Sequence, residues 1–311
     1  MKKSFLITGG AGYLGSMLTS KLVYLGHEVY VMDSLLFSKE PLFHLFSYPN
    51  FHFVHADVRS VKILKKLMSK VDYVLPLAAL VGAPVCEKNK KTAIEVNLKN
   101  IEFIVRNIKK NQRIIYPTTN SGYGVGEKSK YCTEESPLRP VSLYGVTKND
   151  AEKIILTHPN SICFRLATVF GYSHRMRTDL LVNNLVDLAL KKKSIKLFEP
   201  HFRRNFVHIK DVIDAFIFSV DNFQKLKGEV YNLGLSNANI SKLALVKKIK
   251  KDIKDLKIIV DLTRSDPDKR DYFVSNRKIE KKGFKAKVSL DDGIVELINI
   301  LPSLKKIKNN Y

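Results

Sequence analysis

Tyr144 and Lys148 stand four residues apart, so on a helix they share one face. A free phenol titrates near pH ~10 and is a poor base at neutral pH. A neighbouring ammonium stabilises the phenolate. A phenolate can take the proton of a substrate hydroxyl while hydride leaves the carbon. Tyr-x-x-x-Lys recurs by chance, and two surface residues are the competing reading. The loop Tyr116-Pro117-Thr118-Thr119-Asn120-Ser121-Gly122-Tyr123-Gly124 shifts that balance. It follows an apolar run at 113–116 that reads as a parallel strand, and sheet ligand sites lie beyond such strand ends. A hydroxyl there would bond the substrate oxygen and steady an alkoxide-like transition state. Thr119 is the first choice for it, with Thr118 and Ser121 as competitors. Asn120, Ser121 and Tyr123 are expected beside the substrate.

Hydride needs an acceptor, and the N-terminus supplies a place for one. An apolar run at 4–8 leads into Gly9-Gly10-Ala11-Gly12-Tyr13-Leu14-Gly15, which opens an apolar-periodic stretch at 13–25. Gly9, Gly12 and Gly15 permit a tight strand-to-helix turn and close approach of backbone to a pyrophosphate. The helix start adds N–H donors and a favourable dipole. Tyr13 and Leu14 belong to the same turn. Asp33 closes the second strand, where a carboxylate can bond both ribose hydroxyls and repel the extra phosphate of NADP, so NAD is the expected cofactor. Its oxidised ring would further favour a Tyr144 phenolate. Asp57 and Val58 are placed to meet the adenine edge, with helix capping as the competing role of Asp57. Leu77, Ala78 and Ala79 follow the fourth strand, and the two small alanines would let the cofactor pass close to backbone.

These groups need a frame. Strand, helix and strand patterns alternate at 4–8, 13–25, 28–33, 51–54, 60–69, 73–75, 91–110, 113–116, 144–157 and 162–165. The alternation predicts an α/β fold, a Rossmann doubly wound parallel sheet with helices on both faces. After 170 the rhythm changes, with helices expected at 179–192, 210–220 and 241–252 and strand-like segments at 205–209 and 231–234. Ser289 and Asp292 form a capping-box pattern before a final helix. We divide the chain into an NAD-binding domain, 1–170, and a mainly substrate-binding α/β domain, 171–311, with crossings back. Ile94, Leu98, Ile101 and Ile108 make an apolar stripe that could face the sheet or a second subunit.

With 311 residues, 45% of them hydrophobic, the chain can bury a large core without disulfides. Its three cysteines, Cys86, Cys132 and Cys163, are far apart and suggest a reducing, cytoplasmic setting. Cys86 reads as a packed residue, with a reactive thiol as the lesser alternative. His208 reads as packed too, and no histidine pattern suggests a metal. No segment is apolar enough to predict a membrane span. The net charge of +23 comes from short lysine runs spread along the chain, such as Lys191-Lys192-Lys193. They read as solvated helix faces, and no nucleic-acid partner is expected.

Together these motifs resemble the extended short-chain dehydrogenase/reductase family, in its NAD-dependent epimerase/dehydratase branch. Thr8 to Gly15, Asp33, Asp57-Val58, Leu77-Ala78-Ala79, Thr119, Tyr144 and Lys148 carry the resemblance, with Arg204 to Val212 and Arg270 further on. It spans nearly the whole chain. It implies a catalytic triad of Thr119, Tyr144 and Lys148, an anionic nucleotide-sugar substrate held by Arg204 and Arg270, and a homodimer through helices 91–110 and 144–157. Asn120 and Ser121 stand where 4,6-dehydratases of the branch carry an Asp-Glu pair, so dehydration is not expected. Tyr172 replaces a common proline, marking 172–177 as a specificity loop whose Arg175 and Arg177 could meet a diphosphate. Longer strings, Pro76 to Cys86, Pro117 to Lys128, Arg165 to Gly171 and Asp266 to Tyr272, resemble the bacterial dehydrogenases that oxidise C4 of a GDP-linked manno-heptose.

Overall fold

The computed structural model describes residues 1–127, 130–261, 270–304 and 309, so Lys128 and Asp266 to Lys269 lie outside the described residues. Seven parallel strands form the main sheet: β1 (Ser4–Thr8), β2 (Glu28–Asp33), β3 (Phe51–His55), β4 (Tyr73–Pro76), β5 (Arg113–Thr119), β7 (Ser161–Leu166) and β11 (Glu229–Leu233). Their order is β11-β7-β5-β4-β1-β2-β3. Chain direction across the sheet reverses between β1 and β4, and such switch points open a crevice at the carboxyl ends of the strands. Strand β6 (Tyr131–Cys132) pairs with β14 (Phe273–Val274), and β9 (Ser194–Leu197) with β13 (Lys257–Val260). Strands β8 (Thr168–Phe170), β10 (Arg203–His208) and β12 (Asn239–Ser241) form the remaining sheet.

Both faces of the main sheet are buried, which explains why its strands read as nearly continuous apolar runs. Phe5 and Ile7 pack on one face with Leu18 and Leu22 of helix Tyr13–Tyr24. Leu6, Met32, Val74 and Ile114 pack on the other with Leu64, Ile104 and Ile155. Strand β11 is an edge of the main sheet, and helix Ile209–Asp221 packs on helix Tyr13–Tyr24.

The single helix expected at 91–110 is a broken one. Helices Ala83–Lys88 and Lys90–Ile94 lead into a π-helical stretch, Glu95–Lys99, before helix Asn100–Asn107. A π stretch changes which residues face inward. Asn97 within this stretch and Asn100 directly after it are buried. Asn97 Nδ2 donates to the Leu80 carbonyl at 3.0 Å and its Oδ1 accepts from the Leu80 N–H at 2.8 Å. Asn100 donates to the Val58 carbonyl at 2.9 Å. A polar inner face of this kind is invisible to an apolar-stripe argument. The capping box forms in altered guise: the Ser289 hydroxyl accepts from the Asp292 N–H at 3.0 Å and donates to the Asp292 carboxylate at 2.6 Å.

Candidate active site

A cleft of about 1310 Å³ opens at the carboxyl ends of the main-sheet strands. Gly9, Gly12, Tyr13, Leu14, Gly15, Asp33, Asp57, Val58, Leu77, Ala78 and Ala79 line one end of it. Thr119, Ser121, Tyr144, Lys148, Arg177, Arg204 and Arg270 line the rest, with Arg175. Residues spread over most of the chain therefore share one wall.

The glycine turn is built by exclusion. Gly9 has a left-handed backbone, φ +73°, and a Cβ there would lie 2.6 Å from the Ala78 nitrogen. A Cβ on Gly15 would lie 2.1 Å from the Gly9 carbonyl oxygen. Neither space can hold a side chain, so the start of helix Tyr13–Tyr24 sits tight against the end of β1. Asp33 accepts from the Ala11 N–H at 2.9 Å and from the Leu35 N–H at 2.8 Å. Burial raises its pKa, and those two bonds oppose the rise. A carboxylate oriented by backbone, beside a side-chain-free turn and a helix start, fits the adenosine ribose and pyrophosphate of NAD.

Two residues of that end have further duties. The Tyr13 hydroxyl donates to the Gly171 carbonyl at 2.7 Å, so its phenol ties the turn to the chain beyond residue 170. The Asp57 carboxylate is held by Arg59, through the guanidinium and the backbone N–H, each at 2.8 Å. No side-chain bond from Ser60 or Asp57 caps the following helix.

The reactive groups meet at the middle of the cleft. The Thr119 hydroxyl accepts from the Ser121 N–H at 3.1 Å and donates to the Ser121 hydroxyl at 3.0 Å. Arg270 donates to that same serine oxygen. Thr118 has its hydroxyl buried without a hydrogen-bond partner, and it is Thr119 that faces the Tyr144 phenol. Burial pushes the Tyr144 pKa up to about 12. A neighbouring Cys86 adds to the rise, while Arg177, Arg270 and the Thr119 hydroxyl pull it back. Lys148 is buried, and its Nζ lies 3.9 Å from the centre of the Tyr116 ring. Desolvation pushes its pKa down to about 7. A charged lysine beside Tyr144 would favour the phenolate. In this structure Arg177 and Arg270 lower the Tyr144 pKa, while desolvation disfavours the charged forms of both Tyr144 and Lys148.

Tyr123 and Asn120, expected beside the substrate, do not line the cleft. Tyr123 is buried beneath it, donating to Asn232 at 2.7 Å and accepting from Arg165 at 3.0 Å. The 3₁₀ turn Asn120–Tyr123, begun at Thr119, leaves only Ser121 of these residues on the cleft wall. Asn120 is buried with both amide atoms unpartnered. The two arginines of the 172–177 loop also part company. Arg177 is paired with Asp179 and acts on Tyr144. Arg175 lies over the Phe37 ring and within the field of Asp33.

Arg204 lies 5.6 Å from the Tyr272 ring and donates to the Arg203 carbonyl at 2.8 Å. Lys242 also lines the cleft, and sequence reasoning missed it. It directly follows Ser241, which caps helix Lys242–Asp252. A cation in a first helical turn opposes the helix dipole, and that was the available signal. Cys86 is buried, its thiol pushed up to about 11 and donating to the Leu80 carbonyl at 3.3 Å. His208 is fully buried against Glu296 at 2.7 Å. Among the described residues no cluster of His, Cys, Asp and Glu could hold a metal, and no helix is long and apolar enough to cross a membrane.

Residues 5–234 match the model of the NAD dependent epimerase/dehydratase family. The chain belongs to that family. It is therefore an NAD-dependent enzyme. Its relatives include UDP-glucuronic acid decarboxylase 1 of Arabidopsis thaliana, 25% identical across 94% of this chain and 68% of that protein. CDP-paratose 2-epimerase of Salmonella typhi is 26% identical across 96% of this chain and 99% of that one. Among solved structures, UDP-glucuronic acid 4-epimerase from Bacillus cereus, in complex with UDP-glucuronic acid and NAD, superimposes with a TM-score of 0.85. It is 25% identical and the match covers 97% of this chain and all of that one.

Proposed function

We propose that this family member oxidises a secondary hydroxyl of a sugar nucleotide, at C4 of the sugar, to a 4-keto product. The observation that carries the reading is that Thr119, Tyr144 and Lys148 line the same cleft as the NAD-binding turn. NAD, when bound, supplies the acceptor for the hydride that leaves C4. Thr119 holds the reacting oxygen, and Tyr144 takes its proton. Lys148 steers the phenol and bonds the cofactor ribose. Arg177, Arg204 and Arg270 hold the substrate diphosphate. Asn120 and Ser121 offer no carboxylic acid beside Thr119, which speaks against dehydration. The sequence strings around Pro76, Pro117 and Arg165 point to a GDP-linked manno-heptose as the substrate. Segments after residue 170 that lie outside the main sheet cover it. The working unit is a homodimer joined through the helices at 91–110 and 144–157.

A second reading is a 4-epimerase, in which the keto sugar turns over and is reduced on its other face. The likeness to the Bacillus cereus 4-epimerase favours it. One experiment separates the two. The purified enzyme is incubated with NAD and a panel of GDP-, UDP-, dTDP- and CDP-sugars, and products are analysed by mass spectrometry and chromatography. Loss of two hydrogens with one GDP-sugar supports the dehydrogenase. A stereoisomer of unchanged mass supports the epimerase. Turnover of no nucleotide sugar in the panel would overturn both.

A further inference from the structure

Arg175 is stitched to the phosphate-binding turn. Tyr13 bonds the Gly171 carbonyl, and the Ser173 hydroxyl donates to the Tyr13 carbonyl at 2.7 Å and lies 3.1 Å from the Ser16 hydroxyl. That same serine oxygen accepts from the Arg175 N–H at 3.3 Å. These bonds hold the loop against the first turn of helix Tyr13–Tyr24. The Arg175 guanidinium lies 4.7 Å from the Phe37 ring centre and lines the cleft. The residue is only 4% exposed, yet its Nη2 is buried without a hydrogen-bond partner. A desolvated guanidinium is costly unless an anion meets it. Asp33 acts on it through space, but both Asp33 oxygens already accept from backbone N–H groups.

Asp33, Arg175, Arg177 and Tyr144 all line the cleft, and of the two arginines Arg175 is the one whose backbone is bonded through Ser173 to the glycine turn. If the adenosine ribose lies at Asp33 and the reacting carbon at Tyr144, the part of a dinucleotide between them is its pyrophosphate. That dianion also suits the adjacent helix start. We propose that Arg175 binds the pyrophosphate of NAD, with Phe37 holding the guanidinium in place. Arg175 thus serves the cofactor, and Arg177 the substrate end.

A substrate diphosphate offers the same chemistry, so the test has separate arms. Full-length wild-type, Arg175→Gln and Arg175→Lys proteins are stripped of nucleotide, and their folding is checked by thermal melting. Each is titrated calorimetrically with NAD, ADP-ribose, adenosine and GDP. The expected result is a loss of roughly ten- to hundredfold in affinity for NAD and ADP-ribose in Arg175→Gln, the scale of one charged hydrogen-bonding group. Adenosine and GDP binding should hold, and Arg175→Lys should fall between. Unchanged ADP-ribose affinity in both variants would overturn the proposal. So would a loss confined to GDP, or an equal loss for adenosine. None of these readouts depends on which sugar is turned over.

Discussion

The two ends of the cleft are made differently. The NAD end is backbone: a turn with no room for side chains at Gly9 and Gly15, a helix start, and one carboxylate oriented by the Ala11 and Leu35 N–H groups. The other end is side chain, with Arg177, Arg204, Lys242 and Arg270 arriving from four separate segments. A backbone site tolerates almost no change at its tightest positions. A side-chain site can change its ligand by exchanging one residue. Family members that share the first end can thus differ at the second.

The largest expected effect lies where the ends meet. Tyr144→Phe should lower turnover about 10²- to 10⁴-fold, the usual scale of general acid–base catalysis, while leaving NAD affinity intact. Steady-state rates beside NAD titrations check this, and an undiminished rate would remove the phenol from the chemistry. The wild-type oxidation rate should also climb with pH. Burial holds the Tyr144 pKa at about 12, so the phenolate is scarce near neutrality and grows as protons are withdrawn.

Gly15→Ala tests the backbone end directly. Its methyl group would sit 2.1 Å from a carbonyl oxygen that cannot move without opening the turn. The expected cost is about 1–3 kcal/mol, the range for overpacking, with NAD binding weakened alongside. Thermal melting and NAD titration read both. A normally melting variant that binds NAD normally would show that the turn is not held this tightly.

Lys148→Met probes burial at the junction. The lysine pKa falls from 10.5 to about 7 on folding. Between those values the unfolded chain holds a proton that the folded one has released, so stability rises with pH through that window. Below it the full penalty of a buried charge applies. Methionine should therefore raise the melting temperature of the NAD-free protein more at about pH 6 than at about pH 10. Equal gains at both would show that Lys148 keeps its charge on folding. The smallest effect belongs to Tyr123→Phe. It should cost about 1 kcal/mol through the bonds to Asn232 and Arg165, with KM unchanged. A raised KM would return Tyr123 to the cleft wall.

Legibility in the sequence followed the same division. The glycine turn, Asp33 and Leu77 to Ala79 lie on contiguous strand ends, and the parallel sheet could be read from alternating apolar runs. Position in a loop does not reveal orientation, and the 3₁₀ turn buries the Tyr123 ring. Apart from its place in a first helical turn, nothing in the local pattern around Lys242 singles it out from the other lysines of a very basic chain. The break at Glu95–Lys99 was hidden because it serves two asparagines rather than an apolar stripe.

What the sequence by itself determined is the sheet, the dinucleotide turn and the pairing of Tyr144 with Lys148 on one helix face. The turn and the helix face depend on bonds between near neighbours in the chain, and the strands of the sheet show themselves as local apolar runs even though their pairing is long-range. Only the tertiary structure decided which cations act on Tyr144, which of Arg175 and Arg177 lies in the field of Asp33, and which way burial moves each proton. Those are effects of distance and of exclusion from water, and segments remote in sequence set them together.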